Sequence, residues 1–274
     1  MTFGANQFAN SLRQFIRLFI IVLIPVCSSH LHANDNPISI RVGMYPFAPF
    51  VEVDKEGQPF GMTIELLDLL NRYQHQYHFT PVMVSPKRRY QGYQQNDFDA
   101  IFYENVNWGW LSRGIDIQAT EPYQSGGELY VALKQKGRDQ SYFDDLSQRH
   151  LVGILGYHYG FANFNSDEKF LKQKFDITLT WTNDKNLKLI NTGHGDVAIV
   201  TEAYLRRFLR NNPELRNRFL ISQRYDQVYS HSILLRPGIK PSIDEMNELI
   251  KEVANSAEFL HLLSHYGISP AQKR

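Results

Sequence analysis

The sequence predicts an α/β fold with two lobes, each built on a mainly parallel sheet flanked by helices. Short apolar runs typical of strands alternate with segments of helical apolar spacing along the chain, which indicates βαβ units. The alternation restarts near Lys136, which divides the chain into two parts. The length of 274 residues is enough for two modest lobes even after removal of a leader.

Residues 1–33 have the features of a secretory signal peptide, with cleavage expected after Ala33. Two arginines precede an apolar core at residues 18–26, which is too short to span a bilayer. Lipid anchoring at Cys27 is disfavoured because a bulky valine stands before it. The sequence therefore predicts soluble export.

The composition excludes several classes of function. The chain has 29 basic and 28 acidic residues, and loss of Arg13 and Arg17 with the leader leaves 27 against 28, a net charge of −1. No basic excess supports nucleic-acid binding, and no second apolar run supports a membrane span. Cys27 is the single cysteine, so the exported chain must be held by its core without disulfides.

The first elements are predicted in the order strand, helix, strand, helix. Residues 38–45 form an apolar strand that runs into an aromatic loop, 46–50, stiffened by two prolines. Apolar residues in helical spacing predict a helix at 62–73, and a strand follows at 78–84. The next helix is expected to begin at Pro86, a residue favoured in the first helical turn.

The stretch that follows carries the most informative polar residues. A buried strand at 99–103 leads into a loop rich in aromatic and polar residues, and Arg113 precedes an alternating strand at 115–119. A guanidinium offers a planar set of donors to a carboxylate, so Arg113 suits a pocket for an anionic small molecule. From the residues alone, a surface arginine paired with Glu104 or Asp116 is an equally good interpretation.

The rest of the chain repeats the alternation. Strands are expected at 128–134, 151–155, 177–182, 196–201, 219–222 and 228–235. Helices are expected at 161–174, 184–191, 202–209 and 242–254, with a last one ending at Gly267. Because ligand sites lie at the carboxyl ends of parallel strands, the loops expected to carry chemistry are 46–50, 103–113, 156–159 and 201–202.

The order of short motifs along the chain resembles the family-3 extracellular solute-binding proteins of ABC importers, the group that includes polar amino-acid binders. The motifs are Arg41-Val42-Gly43 before Phe47-Ala48-Pro49-Phe50, Gly57 and Gly61 before Glu65 and Asp68, Asp97 to Ala100, Arg113, Glu121-Pro122-Tyr123, Val152-Gly153, and Gly195 to Ala198. The resemblance covers essentially all of the chain after the leader.

The resemblance implies a two-lobed periplasmic-binding-protein clamshell of type II with a two-strand hinge near 128–133 and 230–234. The expected domains are lobe 1 at 34–130 and 229–274, and lobe 2 at 131–228. It also implies a monomer that binds a small molecule with a carboxylate and partners an ABC permease in the inner membrane. In such proteins an aromatic residue covers the ligand and an arginine holds its carboxylate; Phe47 and Arg113 match them.

Departures from the family pattern change the expected ligand. Thr201 stands where relatives carry the aspartate that accepts the ligand's ammonium, and the neighbouring Glu202 would face the other way from a strand end. Residues 157–159 replace the usual small hydroxyl residues, and Trp108 lies in a loop that is longer than usual. These replacements favour a ligand that is larger or more aromatic than an ordinary α-amino acid.

The predicted ligand-binding residues come from the loops at strand ends. They are Tyr45, Phe47, Tyr103, Glu104, Trp108, Arg113, Tyr157, His158, Tyr159, Thr201 and Glu202. Trp110 is expected in the lobe core. Residues 87–89, one lysine and two arginines, are interpreted as a solvated helix face, with an anion-attracting rim as the alternative. No metal or cofactor is expected, because His158 and His194 belong to different loops without ligand spacing.

The sequence thus predicts a periplasmic protein that captures a small, polar, carboxylate-bearing solute for an ABC importer. One alternative is a sensory protein of the same shape that presents its ligand to a membrane receptor. A less favoured alternative is a dehydratase-like enzyme in which Glu65, Glu104 or Glu202 does acid–base work. Because no nucleophile–base pair or triad is found, catalysis is not expected.

Overall fold

The computed structural model describes residues 36–268. The predicted signal peptide, its cleavage site and Cys27 lie outside the described residues. Within residues 36–268, no helix combines the length and the apolar character that crossing a bilayer requires.

The described part of the chain forms eleven strands and seven α-helices. The strands are β1 (Ile38–Met44), β2 (Glu52–Val53), β3 (Pro59–Phe60), β4 (Tyr77–Met83), β5 (Ala100–Glu104), β6 (Gln118–Ala119), β7 (Gln124–Leu133), β8 (Leu151–Ile154), β9 (Ile177–Thr180), β10 (Val197–Thr201) and β11 (Phe219–Leu235). The helices are α1 (Met62–Tyr73), α2 (Arg89–Gln94), α3 (Glu168–Lys174), α4 (Asn183–Asn191), α5 (Glu202–Asn211), α6 (Ile243–Ala254) and α7 (Ala257–His265).

Most strands join one curled mixed sheet in the order β4-β1-β5-β11-β7-β10-β8-β9, with β6 beside β11. Strands β4, β1 and β5 are parallel and form the first half-sheet; β10, β8 and β9 are parallel and form the second half-sheet. Between them, β11 and β7 pair antiparallel with each other and with their outer neighbours. The predicted α/β class with two mainly parallel units is confirmed.

The two half-sheets are joined by the long strands β7 and β11, whose register runs from Phe219 opposite Leu133 to His231 opposite Gln124. The strands approach closely, because a Cβ at Gly127 would lie only 2.8 Å from the carbonyl oxygen of Gln227. Both predicted hinge segments fall within these strands. The predicted lobe boundaries along them stay a prediction.

The helices pack their apolar faces on the sheet as the residue spacing predicts. In α1, the buried residues Met62, Leu66 and Leu70 recur at helical spacing. Helix α6 begins with the predicted capping box, in which Ser242 and Glu245 each accept a hydrogen bond from the other's backbone N–H.

Several predicted elements differ in the structure. The helix expected at 161–174 contains only α3, because Asn163 and Phe164 take positive φ angles of 51° and 59° and Asp167 caps a new helix start. The strand expected at 115–119 shortens to β6. The two strands expected at 219–222 and 228–235 are one continuous strand, β11, since β7 pairs with it across register shifts between Ile221 and Gln227.

Candidate functional site

Loops from both half-sheets meet at the carboxyl ends of their strands and enclose a small interior space, here called the inner cavity. Its volume is about 10 Å³, which is room for about one water molecule. It is lined by Tyr45, Phe47, Arg89, Trp108, Glu128, Gly156, Tyr157, His158 and Gln227. Five of the eleven predicted ligand-binding residues therefore come together around one space.

Phe47 lies at the centre of the aromatic packing around this cavity and is 4% exposed. Its ring meets Trp108 edge-on at 5.6 Å and Tyr157 edge-on at 5.5 Å. The Tyr157 hydroxyl donates to the carbonyl oxygen of Pro46 at 3.0 Å. Aromatic side chains from both half-sheets therefore contact one another directly, and they fill most of the interior.

Arg89, which lines the inner cavity, forms a buried ion pair with Glu104. Arg89 Nε lies 3.5 Å from Glu104 Oε1, and the side chains are 2% and 0% exposed. Arg89 Nη1 donates to the carbonyl oxygen of Pro86 at 2.5 Å, and its guanidinium lies 4.7 Å from the Tyr45 ring centroid. Burial alone would lower the pKa of Arg89, but the Glu104 carboxylate raises it above its ordinary value. Arg89 is therefore positively charged at neutral pH.

The prediction of a solvated face at residues 87–89 is wrong for Arg89, whereas Lys87 and Arg88 are exposed. The sequence carried a usable signal, because Arg89 and the buried Tyr93 stand four residues apart and so share one face of α2. Glu104 was predicted to contact ligand, but the structure places it against Arg89.

Glu128, in the middle of β7, also lines the inner cavity and is 2% exposed. Its Oε1 accepts hydrogen bonds from the Thr201 hydroxyl at 3.1 Å and the Tyr229 hydroxyl at 3.5 Å. Burial, together with the nearby Asp226 carboxyl, raises the pKa of Glu128 to about 8. Sequence reasoning missed this residue, although a single acidic residue in the apolar run from 127 to 133 was a signal.

Several predicted ligand-binding residues are not in the cavity lining and instead contact other residues of the protein. Thr201 is buried, and its hydroxyl accepts from Asn183 Nδ2 at 3.2 Å while it donates to Glu128. Tyr103 stacks on Phe50 at 4.4 Å, and the Tyr159 hydroxyl donates to the carbonyl oxygen of Ile154 at 3.2 Å. Trp110 is fully buried, which confirms its predicted place in the core. Ligand contacts for Thr201, Tyr103 and Tyr159 stay predictions.

A larger and more open space, here called the outer cleft, adjoins the inner cavity. Its volume is about 680 Å³, and its lining includes Arg113, Lys87, Ser112, Asn163, Asp167 and Glu168. Two of these lining residues form an ion pair, in which Lys87 Nζ lies 2.7 Å from Glu168 Oε2. His158 and Gly156 line both spaces, so the outer cleft and the inner cavity are neighbours.

Arg113 is exposed at the outer cleft. Its guanidinium lies 4.3 Å from the ring centroid of Tyr90, and Nη1 makes a long hydrogen bond of 3.4 Å to the carbonyl oxygen of Gly109. Beside it, burial and the positive charges of Arg89 and Arg113 lower the pKa of His158 to about 3. Arg113 therefore keeps donors for a ligand, next to an imidazole that is neutral at physiological pH.

Glu202 lies apart from this cluster. It lines a separate groove with Arg206, Tyr225 and Val228, and it forms an ion pair with Arg206 at 2.5 Å. Its predicted contact with a ligand held by Phe47 and Arg113 is not supported by this position. Among residues 36–268, no group of three or more His, Cys, Asp or Glu side chains could hold a metal ion.

Comparisons with known proteins agree on one family and one fold. The sequence matches the family described as bacterial extracellular solute-binding proteins, family 3, over residues 40–268. A search of curated proteins found no match.

Solved structures with the same fold include three of particular interest. The first is an ABC uptake transporter substrate-binding protein from Streptococcus pneumoniae with bound histidine (16% identity, 86% of this chain and 95% of that chain, TM-score 0.67). The second is a protein from Wolinella succinogenes that is assigned as a binding component of an ABC transporter and is complexed with lysine (17% identity, 84% of this chain and 96% of that chain, TM-score 0.66). The third is the ancestral amino-acid-binding protein AncCDT-1, a precursor of cyclohexadienyl dehydratase (17%, 83% and 95%, TM-score 0.63). These matches confirm the predicted two-lobed clamshell.

Arg89→Ala should destabilise the protein strongly, because it leaves Glu104 buried without a partner. Breaking a buried ion pair from one side costs about 3–5 kcal/mol. Urea denaturation measures the change, and Arg88→Ala, at the exposed neighbour, should stay within about 0.5 kcal/mol of the unchanged protein. Similar unfolding midpoints for the two variants would contradict the buried pair.

Glu128→Gln should change how stability depends on pH. From the ordinary pKa of 4.5 up to about 8, the folded state holds a proton on Glu128 that the unfolded state has lost. The free energy of unfolding of the unchanged protein should therefore fall as pH rises through this range. Glu128→Gln has no such group to deprotonate, so its free energy of unfolding should increase with pH relative to that of the unchanged protein.

Urea denaturation at a series of pH values measures this difference. Glu121→Gln is the control, because Glu121 is exposed on the segment just before β7. Parallel pH profiles for Glu128→Gln and the unchanged protein would show that Glu128 titrates normally.

Proposed function

The chain belongs to family 3 of the bacterial extracellular solute-binding proteins, and we propose that it captures a small polar solute with a carboxylate. The solute is of the amino-acid type, and the protein delivers it in the periplasm to an ABC importer. The histidine and lysine held by proteins of the same fold support this ligand class.

The observation that carries the proposal is the position of Arg113. Its guanidinium is exposed at the outer cleft and packs against the Tyr90 ring, and among the described residues it makes a single long hydrogen bond. A carboxylate in the outer cleft could accept two parallel hydrogen bonds from it. Arg89, the other arginine nearby, is already engaged by Glu104.

The rest of the solute would lie toward the inner cavity, against Phe47, Trp108 and Tyr157. The inner cavity, at about 10 Å³, is too small for an amino acid. Binding there therefore requires the aromatic side chains to separate, which would break the contact of Tyr157 with Pro46 and the Lys87–Glu168 bridge. Hinge opening about two linking strands is a common motion of two-lobed binding proteins.

Binding is favoured over catalysis because the acidic residues considered for acid–base chemistry do not converge. Glu65 accepts a hydrogen bond from the Tyr266 hydroxyl at 2.5 Å, Glu104 is paired with Arg89, and Glu202 is paired with Arg206 in another groove. No pair of them faces one space where a substrate could contact both.

A thermal-shift screen of the purified protein against the common amino acids should find at least one that stabilises it. An amino acid at about a hundred times its dissociation constant adds about 2.7 kcal/mol. The decarboxylated amines histamine, cadaverine and agmatine should give no shift, because they lack the group that Arg113 holds.

Arg113→Ala should then weaken binding of the best amino acid by about 10- to 150-fold, the loss of a charge-assisted contact of about 1.5–3 kcal/mol. Titration calorimetry measures the affinity, and Arg88→Ala, an exposed arginine outside the cleft lining, is the matched control. Unchanged affinity in Arg113→Ala would remove the carboxylate role of Arg113. A screen without any amino-acid hit would reject the proposed ligand class.

A further inference from the structure

We propose that Glu128 receives a protonated nitrogen of the solute and gives up its own proton when that nitrogen binds. The inference rests on the proposed function, since it concerns the same solute. It adds the second recognition group, a cationic nitrogen, to the carboxylate that Arg113 would hold.

The geometry around Glu128 is that of an acid facing a binding space. Thr201 and Tyr229 both donate to Oε1, and within residues 36–268 no hydrogen bond reaches Oε2. Asn183 fixes the Thr201 hydroxyl from the far side, which leaves the hydroxyl hydrogen directed at Glu128. The carboxyl is thus held in place by donors on one oxygen while the residue lines the inner cavity.

In the part of the chain that the structure describes, no positively charged side chain pairs with Glu128. None of the ion pairs formed within residues 36–268 includes it. Arg89, which lines the same cavity, is paired with Glu104, and His158 is neutral. A buried carboxylate without a cation is costly, so the group needs either a proton or an external cation.

The other titratable groups around Glu128 supply no positive charge, which makes an ionised Glu128 without a cation still less favourable. Asp226 on β11 adds negative charge, and it is itself held by the Tyr130 hydroxyl at 2.7 Å. The hydroxyls of Tyr157, Tyr159 and Tyr229 also interact with Glu128, and burial raises the pKa of each well above its ordinary value. All of these groups are neutral or negative at neutral pH.

Burial keeps Glu128 protonated at neutral pH while the cavity is empty of a cation. An ammonium arriving at Glu128 favours the carboxylate, so the carboxylic acid releases its proton to solvent and an ammonium–carboxylate pair forms. In the balanced exchange, Glu–COOH and R–NH₃⁺ are the reactants. The products are an ion pair of Glu–COO⁻ with R–NH₃⁺ and one H⁺ released to solvent. The aromatic rings of Phe47 and Tyr157 beside the cavity offer further attraction to a cation.

One solute could contact both Arg113 and Glu128, because Gly156 and His158 line both spaces. Gln227 stands opposite Glu128 in the β7–β11 register, and its side-chain amide donates to the carbonyl oxygen of His158. His158 lines the outer cleft together with Arg113. The carboxylate end and the cationic nitrogen would thus lie on either side of His158.

The test is titration calorimetry with the amino acid that gives the largest shift among the common amino acids, all of which carry an ammonium. Binding is measured from about pH 6 to about pH 9, in phosphate and in Tris, whose ionisation enthalpies differ. The unchanged protein should release about one proton per bound amino acid at the low end. Its affinity should rise by about tenfold per pH unit up to about pH 8 and then level off.

Glu128→Gln keeps the size of the side chain but cannot ionise. It should bind the amino acid at least about tenfold more weakly at pH 8 and show neither proton release nor the rise in affinity with pH. Glu121→Gln, the same change at an exposed site, should behave as the unchanged protein. If Glu128→Gln folds poorly, the test is the proton release measured when the unchanged protein binds the amino acid. Binding without proton release then overturns the role of Glu128.

The outcomes separate the two proposals. An amino acid that binds without proton release, or a Glu128→Gln variant with the pH dependence intact, overturns the role of Glu128 and leaves the proposed function standing. If no amino acid binds the unchanged protein, the proposed function fails and the role of Glu128 fails with it.

Discussion

The pairing of Arg89 with Glu104 is the constraint on which the interior of this protein depends. A guanidinium that is 2% exposed must be neutralised where it lies, and Glu104 at the end of β5 is the partner that the fold supplies. The pair joins the start of α2 to the first half-sheet, and it commits both groups to the protein itself. Within residues 36–268, Glu128, which lines the same cavity, forms no ion pair, and Arg113 is the arginine exposed at the outer cleft for a carboxylate.

The two proposed recognition groups differ in their exposure to solvent, and each exposure suits a different step of binding. Arg113 is exposed, so its guanidinium can meet a carboxylate at the outer cleft before the solute is enclosed. Glu128 is buried and holds a proton, so it becomes a full charge only when a cation arrives. His158 lines both spaces and is neutral, so it adds no repulsion toward either end of a zwitterionic solute. The aromatic side chains around Phe47 line the same cavity as Glu128, and an ion pair formed in such a water-poor setting is strengthened.

Much of the fold could be predicted from the sequence because alternating strands and helices leave strong periodic signals, as α1 and the Ser242 capping box illustrate. The same reasoning brought Tyr45, Phe47, Trp108, Tyr157 and His158 to one space, since loops at the ends of parallel strands converge. It failed at Arg89 because a cluster of basic residues is usually solvated, and only tertiary contact with Glu104 buries one of them. It missed Glu128 because a strand's apolar run does not reveal which space a single acid faces. The merged strand β11 was missed because its polar middle residues look like a loop until β7 pairs with them.

A crystal structure with the best-binding amino acid of the screen would show which side chains hold the solute. We expect the amino acid to lie between the two half-sheets, with its carboxylate on the Arg113 guanidinium and a protonated nitrogen within hydrogen-bond distance of Glu128. An amino acid bound in the groove around Glu202 and Arg206, or one that leaves both Arg113 and Glu128 untouched, would contradict it.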